Sequence, residues 1–237
     1  MISVCLATYN GEKFIKMQIE SILHQLCSDD EIIVSDDGSV DNTIRIVNDF
    51  NDKRIKIVFN KLERGYTNNF ENAINHASGN YIFLSDQDDV WMDTKVSKTL
   101  ELLNNNDFVV SDALFVDTDL NNLNYTYFGI RGGKNGFFQN LYKSQYLGAC
   151  MAFKREILPR ILPFPVKKEL CPHDMWISFI AQFYYKATVI KEPLIKYRRH
   201  EKNVSTGGKS SENSVFKKLE IRFYCFFQVI SRFRISS

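Results

Sequence analysis

Three aspartates within four residues, Asp86, Asp88 and Asp89, follow the apolar run Ile82-Phe83-Leu84. Like charges held that close beside apolar chain are costly unless protons or a cation relieve them. A hard divalent ion with oxygen ligands, Mg²⁺ or Mn²⁺, is the economical solution, and such an ion completes its shell with water and substrate phosphates. An EF-hand loop is excluded, because the sixth position from Asp86 is Trp91 rather than Gly and the twelfth is Ser97 rather than Glu. Two further polar clusters stand upstream, Thr8-Tyr9-Asn10 and Asp36-Asp37-Gly38-Ser39. Phosphate-cradling loops fail the check. Gly208-Lys209-Ser210 ends like a P-loop, but Asn203 stands where the earlier Gly belongs, and Ala7-Thr8-Tyr9-Asn10-Gly11 replaces G-x-G-x-x-G. A P-loop ATPase and a dinucleotide site of the usual kind are both demoted.

These clusters need elements to hold them. Short β-rich apolar runs predict strands over 2–7, 31–35, 55–59 and 81–85, alternating with helical patterns, which is the signature of a parallel α/β sheet. Ile15, Ile19, Ile22, Leu23 and Leu26 recur at helical spacing between the first two strands. Asp41 is placed to cap a second helix through Ile44, Val47 and Phe50, and Asn68 or Asn69 a third through Ala77. Three successive βα units with right-handed crossovers make a doubly wound half-sheet, whose ligands bind outside the carboxyl ends of its strands. Each polar cluster sits at such an end. Asp, Asn and Gly also follow strands simply to make turns and caps, but that alternative predicts mixed turn chemistry rather than repeated carboxylates.

Beyond residue 90 the pattern predicts helix over 93–104, strands over 108–112 and 113–116, a polar turn over 117–124 and strand over 147–153. Helix over 174–184 and a strand over 188–197 interrupted by Pro193 follow. The Gly-rich stretch 131–136 has no predicted element, and there is no internal repeat.

The chain has 237 residues, 44% of them hydrophobic, enough for one sizeable core. Its net charge of +2 argues against a dedicated nucleic-acid binder but conceals a split: 11 basic and 4 acidic residues from Lys191 onward, against 19 and 24 before it. Five scattered cysteines without a C-x-x-C pair suggest reduced thiols in the cytoplasm, not a zinc site or disulfide framework. The apolar stretch 2–7 lacks a basic flank and is too short for a signal or membrane span.

Taken together, Thr8-Tyr9-Asn10, Ser35-Asp36-Asp37-Gly38-Ser39 with Asp41, and Leu84-Ser85-Asp86-Gln87-Asp88-Asp89-Val90-Trp91 resemble the ordered motifs of inverting glycosyltransferase family 2, which has the GT-A fold. The resemblance continues through Gly148-Ala149-Cys150-Met151, Pro172-His173-Asp174-Met175-Trp176 and Tyr197-Arg198-Arg199-His200, covering roughly residues 1–205. Each motif alone is weak, and six in order are strong. The runs around Asp86, Asp174 and His200 are most similar to bacterial rhamnosyltransferase-like members that build surface polysaccharides.

The resemblance implies a nucleotide-sugar donor, dTDP-rhamnose preferred with UDP-sugars open, and a lipid-linked glycan acceptor. It implies that Tyr9 stacks on the donor's base near the Ala7 backbone, with Thr8 and Asn10 alongside, and that Asp37 or Asp36 bonds the base's N–H edge. Asp86 and Asp88 match the D-x-D element, meeting the ribose and, through the metal, the diphosphate, with Gln87 between them and Asp89 a possible sharer. Arg199 would neutralise phosphate oxygens, and His200 would ligate the metal or bond a phosphate. Arg64 has a similar reading, whereas Arg198 suits a solvated basic turn. Asp174 is the expected general base, taking the acceptor hydroxyl's proton. The family usually presents an acidic pair there, and here its first member is His173. Asp174 equally suits an N-cap for a helix beginning at Met175. Gly148, Ala149, His173, Trp91 and Trp176 are acceptor-side candidates, the tryptophans having packing as the alternative. A nucleotidyltransferase and a non-catalytic nucleotide-sugar-binding module are the competing functions.

The expected organisation is a catalytic domain over 1–205, a linker over 206–214 and an amphipathic basic helix over 215–237. Phe216, Leu219, Phe223, Phe226, Phe227, Ile230 and Phe233 recur at helical spacing among Lys217, Lys218, Arg222, Arg232 and Arg234. That combination suits peripheral attachment to the inner face of the cytoplasmic membrane, with packing on the enzyme or another subunit as the alternative.

Overall fold

Seven consecutive buried residues make the first strand, β1 (Ile2–Thr8), a central one, and the sheet is built outward from it. A computed structural model describes residues 1–61, 63–201 and 213–234. After β1 come α1 (Ile15–Leu23), β2 (Glu31–Asp36), α2 (Thr43–Asp49), β3 (Ile55–Phe59), α3 (Tyr66–His76) and β4 (Tyr81–Asp86). Then follow β5 (Val90–Trp91), α4 (Lys95–Leu103), β6 (Phe108–Val116), β7 (Asn122–Thr126), α5 (Tyr127–Arg131), α6 (Phe137–Tyr142), β8 (Met151–Lys154) and α7 (Leu158–Ile161). The order closes with α8 (His173–Tyr184), β9 (Ala187–Arg198) and α9 (Val215–Ser231).

The sheet order is β3-β2-β1-β4-β8-β6-β9-β5, with β7 beside β6. The first four strands are parallel, as the doubly wound pattern predicts. Their register decides where the chemistry stands: Ala7 pairs with Asp86 and Thr8 with Asp36, so three strand ends finish level on one rim. The second half mixes directions. β8 is antiparallel to β4 and β6, while β9 is parallel to β6.

Several boundaries differ from the sequence pattern for identifiable reasons. α3 starts after Gly65, not at an asparagine cap, because Asn69 is needed elsewhere: its amide donates to the carbonyls of Thr8 (3.1 Å) and Ser35 (2.8 Å), joining β1 to β2. Asn42 is the N-cap of α2, and Asp41 accepts from the Thr43 amide at 3.0 Å. The two strands expected over 108–116 are one, β6, whose register against β9 shifts at Asp112, opposite Pro193. Asp112 Oδ1 there accepts from the amides of Ala113 and Phe128, at 2.7 and 2.8 Å. The expected strand over 147–153 begins as a 3₁₀ turn, Gly148–Cys150, before β8.

α9 ends at Ser231 and continues as a 3₁₀ turn to Arg234. Ile221, Cys225 and Val229, four residues apart, are buried against the body, and the Tyr184 hydroxyl donates to the Val229 carbonyl at 2.8 Å. The expected linker over 206–214 lies outside the described residues except for Asn213 and Ser214, the latter capping α9 by accepting from the Lys217 amide at 3.2 Å. No helix among the described residues is long and apolar enough to cross a membrane.

Candidate active site

The rim where β1, β2 and β4 end opens into a cavity of about 1260 Å³. Of the residues singled out in the sequence, Ala7, Thr8, Tyr9, Asn10, Asp37, Arg64, Asp86, Gln87, Asp88, Gly148, His173, Asp174, Arg199 and His200 all line it. Segments as far apart in sequence as Ala7 and His200 thus converge on one space.

On one side Tyr9 presents a ring that is 47% exposed, an unusual placement for a large aromatic next to a buried strand. Its backbone is gripped by Gln87: the Tyr9 amide donates to Gln87 Oε1 (2.9 Å), and Gln87 Nε2 donates to the Tyr9 carbonyl (3.0 Å). Thr8 Oγ1 donates to the same Oε1 at 2.6 Å. Gln87 therefore acts as a staple between the Tyr9 loop and the acidic turn. Asn10 adopts φ 48°, in the left-handed region that asparagine tolerates, and its Oδ1 accepts from the Val40 amide at 2.9 Å. Asp37 is held by the Gly65 amide on Oδ2 (2.8 Å) and by Asn60 Nδ2 on Oδ1 (2.6 Å). Arg64 packs over Gly38, whose φ of 88° and lack of a side chain both suit a glycine.

On the other side lies the acidic turn. Burial, then the charges of Asp88 and Asp174, push the Asp86 carboxyl well above its ordinary value. Asp88 Oδ2 sits 2.7 Å from His200 Nε2, and the His200 ring stacks on Phe14 at 5.0 Å. The two groups hydrogen-bond each other; the carboxylate oxygen suits Mn²⁺ or Mg²⁺, and the softer imidazole nitrogen favours the transition-metal ion Mn²⁺ over Mg²⁺. Asp86, expected as a third ligand, does not complete a cluster: no group of three acidic, His or Cys side chains able to hold a metal occurs among the described residues. A metal held by Asp88 and His200 would take its remaining ligands from substrate and water.

Arg198 is not the solvated turn residue expected. It is only 2% exposed, its Nε donates to the Asp88 carbonyl (2.9 Å), Nη1 donates to the Thr118 carbonyl, and its backbone amide donates to Asp89 Oδ1 (3.1 Å). Its guanidinium also stacks over Phe14 at 4.6 Å. The end of β9 is thereby sewn to the acidic turn, which sets Asp88 beside His200. Asp89 turns inward, and its Oδ2 has no hydrogen-bond partner.

At the far wall, Asp174 occupies the first turn of α8 behind the N-cap Pro172, so the expected capping position is off by two residues. Its Oδ1 accepts from the Met175 amide at 2.7 Å. Burial pushes its carboxyl up to about 6, against smaller lowering effects from that amide and from Arg131. His173 stacks on Phe70 at 4.2 Å, and burial holds it down at about 3, so the ring is neutral. Gly148 permits this approach, because a Cβ there would lie 2.2 Å from His173 Nε2.

Four expected site residues do not line the cavity. Asp36 turns back to accept from the amides of Gly38 and Ser39, both at 2.9 Å. Trp91 is 2% exposed beneath Lys95, whose Nζ lies 5.0 Å from its ring and donates to the Ala149 carbonyl at 3.2 Å, so Trp91 and Ala149 form the packed layer behind the acidic turn. Trp176 is fully buried, its Nε1 donating to the Ile161 carbonyl at 2.7 Å. The sequence reading overlooked Lys13, Phe14, Tyr66, Asn69, Thr118 and Leu147 as lining residues. Of these, Phe14 and Leu147 stand beside motifs, four residues after Asn10 and one before Gly148, and carried that signal; Tyr66 and Thr118 carried none.

The family model described as Glycosyl transferase family 2 matches residues 3–162. The UDP-Glc:alpha-D-GlcNAc-diphosphoundecaprenol beta-1,3-glucosyltransferase WfgD of Escherichia coli is 26% identical over 208 residues, covering 87% of this chain and 80% of that protein. The dTDP-rhamnosyl transferase RfbG of Shigella flexneri is 28% identical over 236 residues, covering 90% and 78%. Among solved structures, S. aureus TarS 1-349 in complex with UDP-GlcNAc superposes with a TM-score of 0.69 at 17% identity, covering 96% of this chain. The chain spans 66% of that structure's length. Glucosyl-3-phosphoglycerate synthase from Mycobacterium tuberculosis, in complex with Mn²⁺, UDP and glucosyl-3-phosphoglycerate, has a TM-score of 0.59 at 18% identity and covers all of this chain and 81% of its own. The sheet, its flanking helices and the order of its motifs are those of a GT-A enzyme, and the chain belongs to glycosyl transferase family 2.

Proposed function

We propose that this chain moves a sugar, with inversion, from a pyrimidine nucleoside diphosphate to a hydroxyl of a lipid-linked glycan, as a step in surface polysaccharide synthesis. The observation that carries this reading is the single cavity shared by Tyr9, Asp37, Asp86, Asp88, Asp174, Arg199 and His200. Tyr9 offers its face to the base, and Asp37, already fixed by two donors, offers its remaining lone pairs to the base's N–H edge. Asp86 meets the ribose. Asp88 and His200 would hold Mg²⁺ or Mn²⁺, which when bound would supply positive charge against the charge developing on the departing diphosphate. Arg199 adds a cation for the phosphate oxygens.

Asp174 takes the proton of the acceptor hydroxyl while its oxygen bonds to the anomeric carbon. The bond from that carbon to the phosphate oxygen breaks, and its electron pair leaves with the nucleoside diphosphate. A carboxyl lifted toward neutrality by burial is a stronger base than an ordinary one and remains ionised at pH 7. dTDP-L-rhamnose is the preferred donor, supported by the Shigella flexneri relative; the Escherichia coli relative makes UDP-glucose the alternative. The working place is the inner face of the cytoplasmic membrane, where such an acceptor is presented.

The test is transfer by the purified full chain with each donor and Mn²⁺, beside an Asp174→Asn variant. The variant should lose about 10²–10⁴-fold in turnover while keeping the donor-induced thermal shift. Equal turnover in the variant would remove Asp174 from its role. Donor binding without turnover in the parent would favour a binding module, and nucleotidyl transfer with pyrophosphate release would favour a nucleotidyltransferase.

A further inference from the structure

α9 has two apolar sides, and the body of the protein uses only one. Ile221, Cys225 and Val229 face inward. Phe216, Leu219, Phe223 and Phe227 recur at the spacing of the opposite stripe, and the three phenylalanines are 85%, 61% and 66% exposed. Beside them on α6, Phe138 and Tyr142 are 73% and 83% exposed. The Arg222 guanidinium donates to the Tyr142 carbonyl at 2.7 Å, which ties the two helices into one face. Six large apolar side chains pointing outward together exceed the scattered apolar exposure normal for a protein surface.

We propose that this face docks on a bilayer carrying anionic headgroups. The proposal names a partner for the reading above and rests on that reading only for the acceptor's place in the membrane. Charge selects the occupant. Residues 213–234 hold Lys217, Lys218, Arg222, Arg232 and Arg234 against Glu220 alone. A symmetric contact with a second copy would set this positive segment against itself, which is unfavourable, whereas an anionic surface complements it. The aromatic stripe enters the boundary between headgroups and acyl chains, and Lys217 and Lys218, beside Phe216 at its start, remain at headgroup level. Docked in this way, α9 lies along the bilayer surface.

Docking also has a route to the active site. The inner side of α9 rests on the segment leading to His173 and Asp174: Cys225 Sγ donates to the Leu170 carbonyl at 3.5 Å, and the Lys167 amide donates to the Tyr224 hydroxyl at 3.0 Å. A surface held against α9 is therefore one layer of protein from the wall that carries the base.

Flotation of the full chain with phosphatidylcholine vesicles, and with phosphatidylcholine–phosphatidylglycerol vesicles, tests the proposal. Binding should be at least about tenfold tighter to the anionic vesicles and should weaken with salt. Joint substitution F216S, F223S and F227S should lower partition at least about 100-fold, because three exposed phenyl groups lose their burial in lipid. K217E with K218E should abolish the preference for phosphatidylglycerol. None of these positions is in the core, so the thermal midpoint and the donor-induced shift should be unchanged. Absence of vesicle binding by the parent, or equal partition of the phenylalanine variant, overturns the proposal. So does a dimer of the parent that this variant dissociates while vesicle binding persists. If vesicles bind as expected and no nucleotide sugar shifts the midpoint, the transferase reading fails and the surface stands.

Discussion

Asp174 shows how one carboxylate is prepared by its surroundings. Burial raises it to about 6 although the Met175 amide, which favours the charged form, is bonded to it. The proposed base works ionised, so transfer should fall as pH drops through about 6 and level off above it, a limb that Asp174→Asn should lack. The same shift has an opposite consequence for stability. A carboxyl with a raised folded value costs the folded state more as pH rises from about 4 to about 6, so Asp174→Asn should raise the thermal midpoint at pH 7 by about 5–10 °C and have no such effect at pH 3. A pH–rate profile with parallel melting curves checks both; a parent profile flat from pH 5 to 8 would contradict the assignment. Gln87 illustrates the contrary case, a residue expected to touch the donor whose amide is already engaged by Thr8 and Tyr9.

The decisive junction between elements is that of β9 with the turn after β4. β5 is two residues long and pairs with β9 at Val90 and Trp91, and Arg198 adds three polar contacts to carbonyls and a carboxylate of neighbouring segments. Its planar fork reaches two carbonyls at once, a geometry Lys cannot reproduce. Arg198→Met should therefore cost about 2–4 kcal/mol in urea denaturation, since it strands buried acceptors and leaves Asp89 less compensated. Arg198→Lys should recover little of this. Beyond stability, both variants should weaken Mn²⁺-dependent donor binding more than metal-free binding, because Asp88 and His200 lose their common support. Equal loss in both would make Arg198 a packing residue only.

For the molecule as a whole, the two proposals assign the acidic body to the donor and the basic end to the bilayer. The cavity gathers Asp37, Asp86, Asp88 and Asp174 where a polyanionic donor must enter, so donor and cation should bind interdependently. With Mn²⁺ present, a donor at about 100 times its dissociation constant should stabilise the chain by about 2.7 kcal/mol, and EDTA should remove most of that gain. A thermal-shift titration in both conditions measures the coupling; a donor shift indifferent to EDTA would eliminate the metal from donor binding.

Much of this organisation was readable along the chain. Strong local periodicity marked β1 to β4 and their helices, because a strand buried on both faces must be continuously apolar and a covering helix must repeat its apolar stripe. Fourteen of the residues singled out in the sequence, most of them in the family motifs, line one cavity. Side-chain direction was not readable. Asp36 and Asp37 are adjacent, yet alternation along the backbone turns one into its own loop and the other into the cavity. Trp176 and Asp174, two positions apart on a helix, lie on different faces because the 3.6-residue repeat sets such positions nearly opposite one another. Arg198 and the two sides of α9 required the fold itself, since each depends on partners more than 40 positions away. Local pattern specifies which face of an element is apolar; only packing decides which part of that face the protein covers and which it leaves for something else.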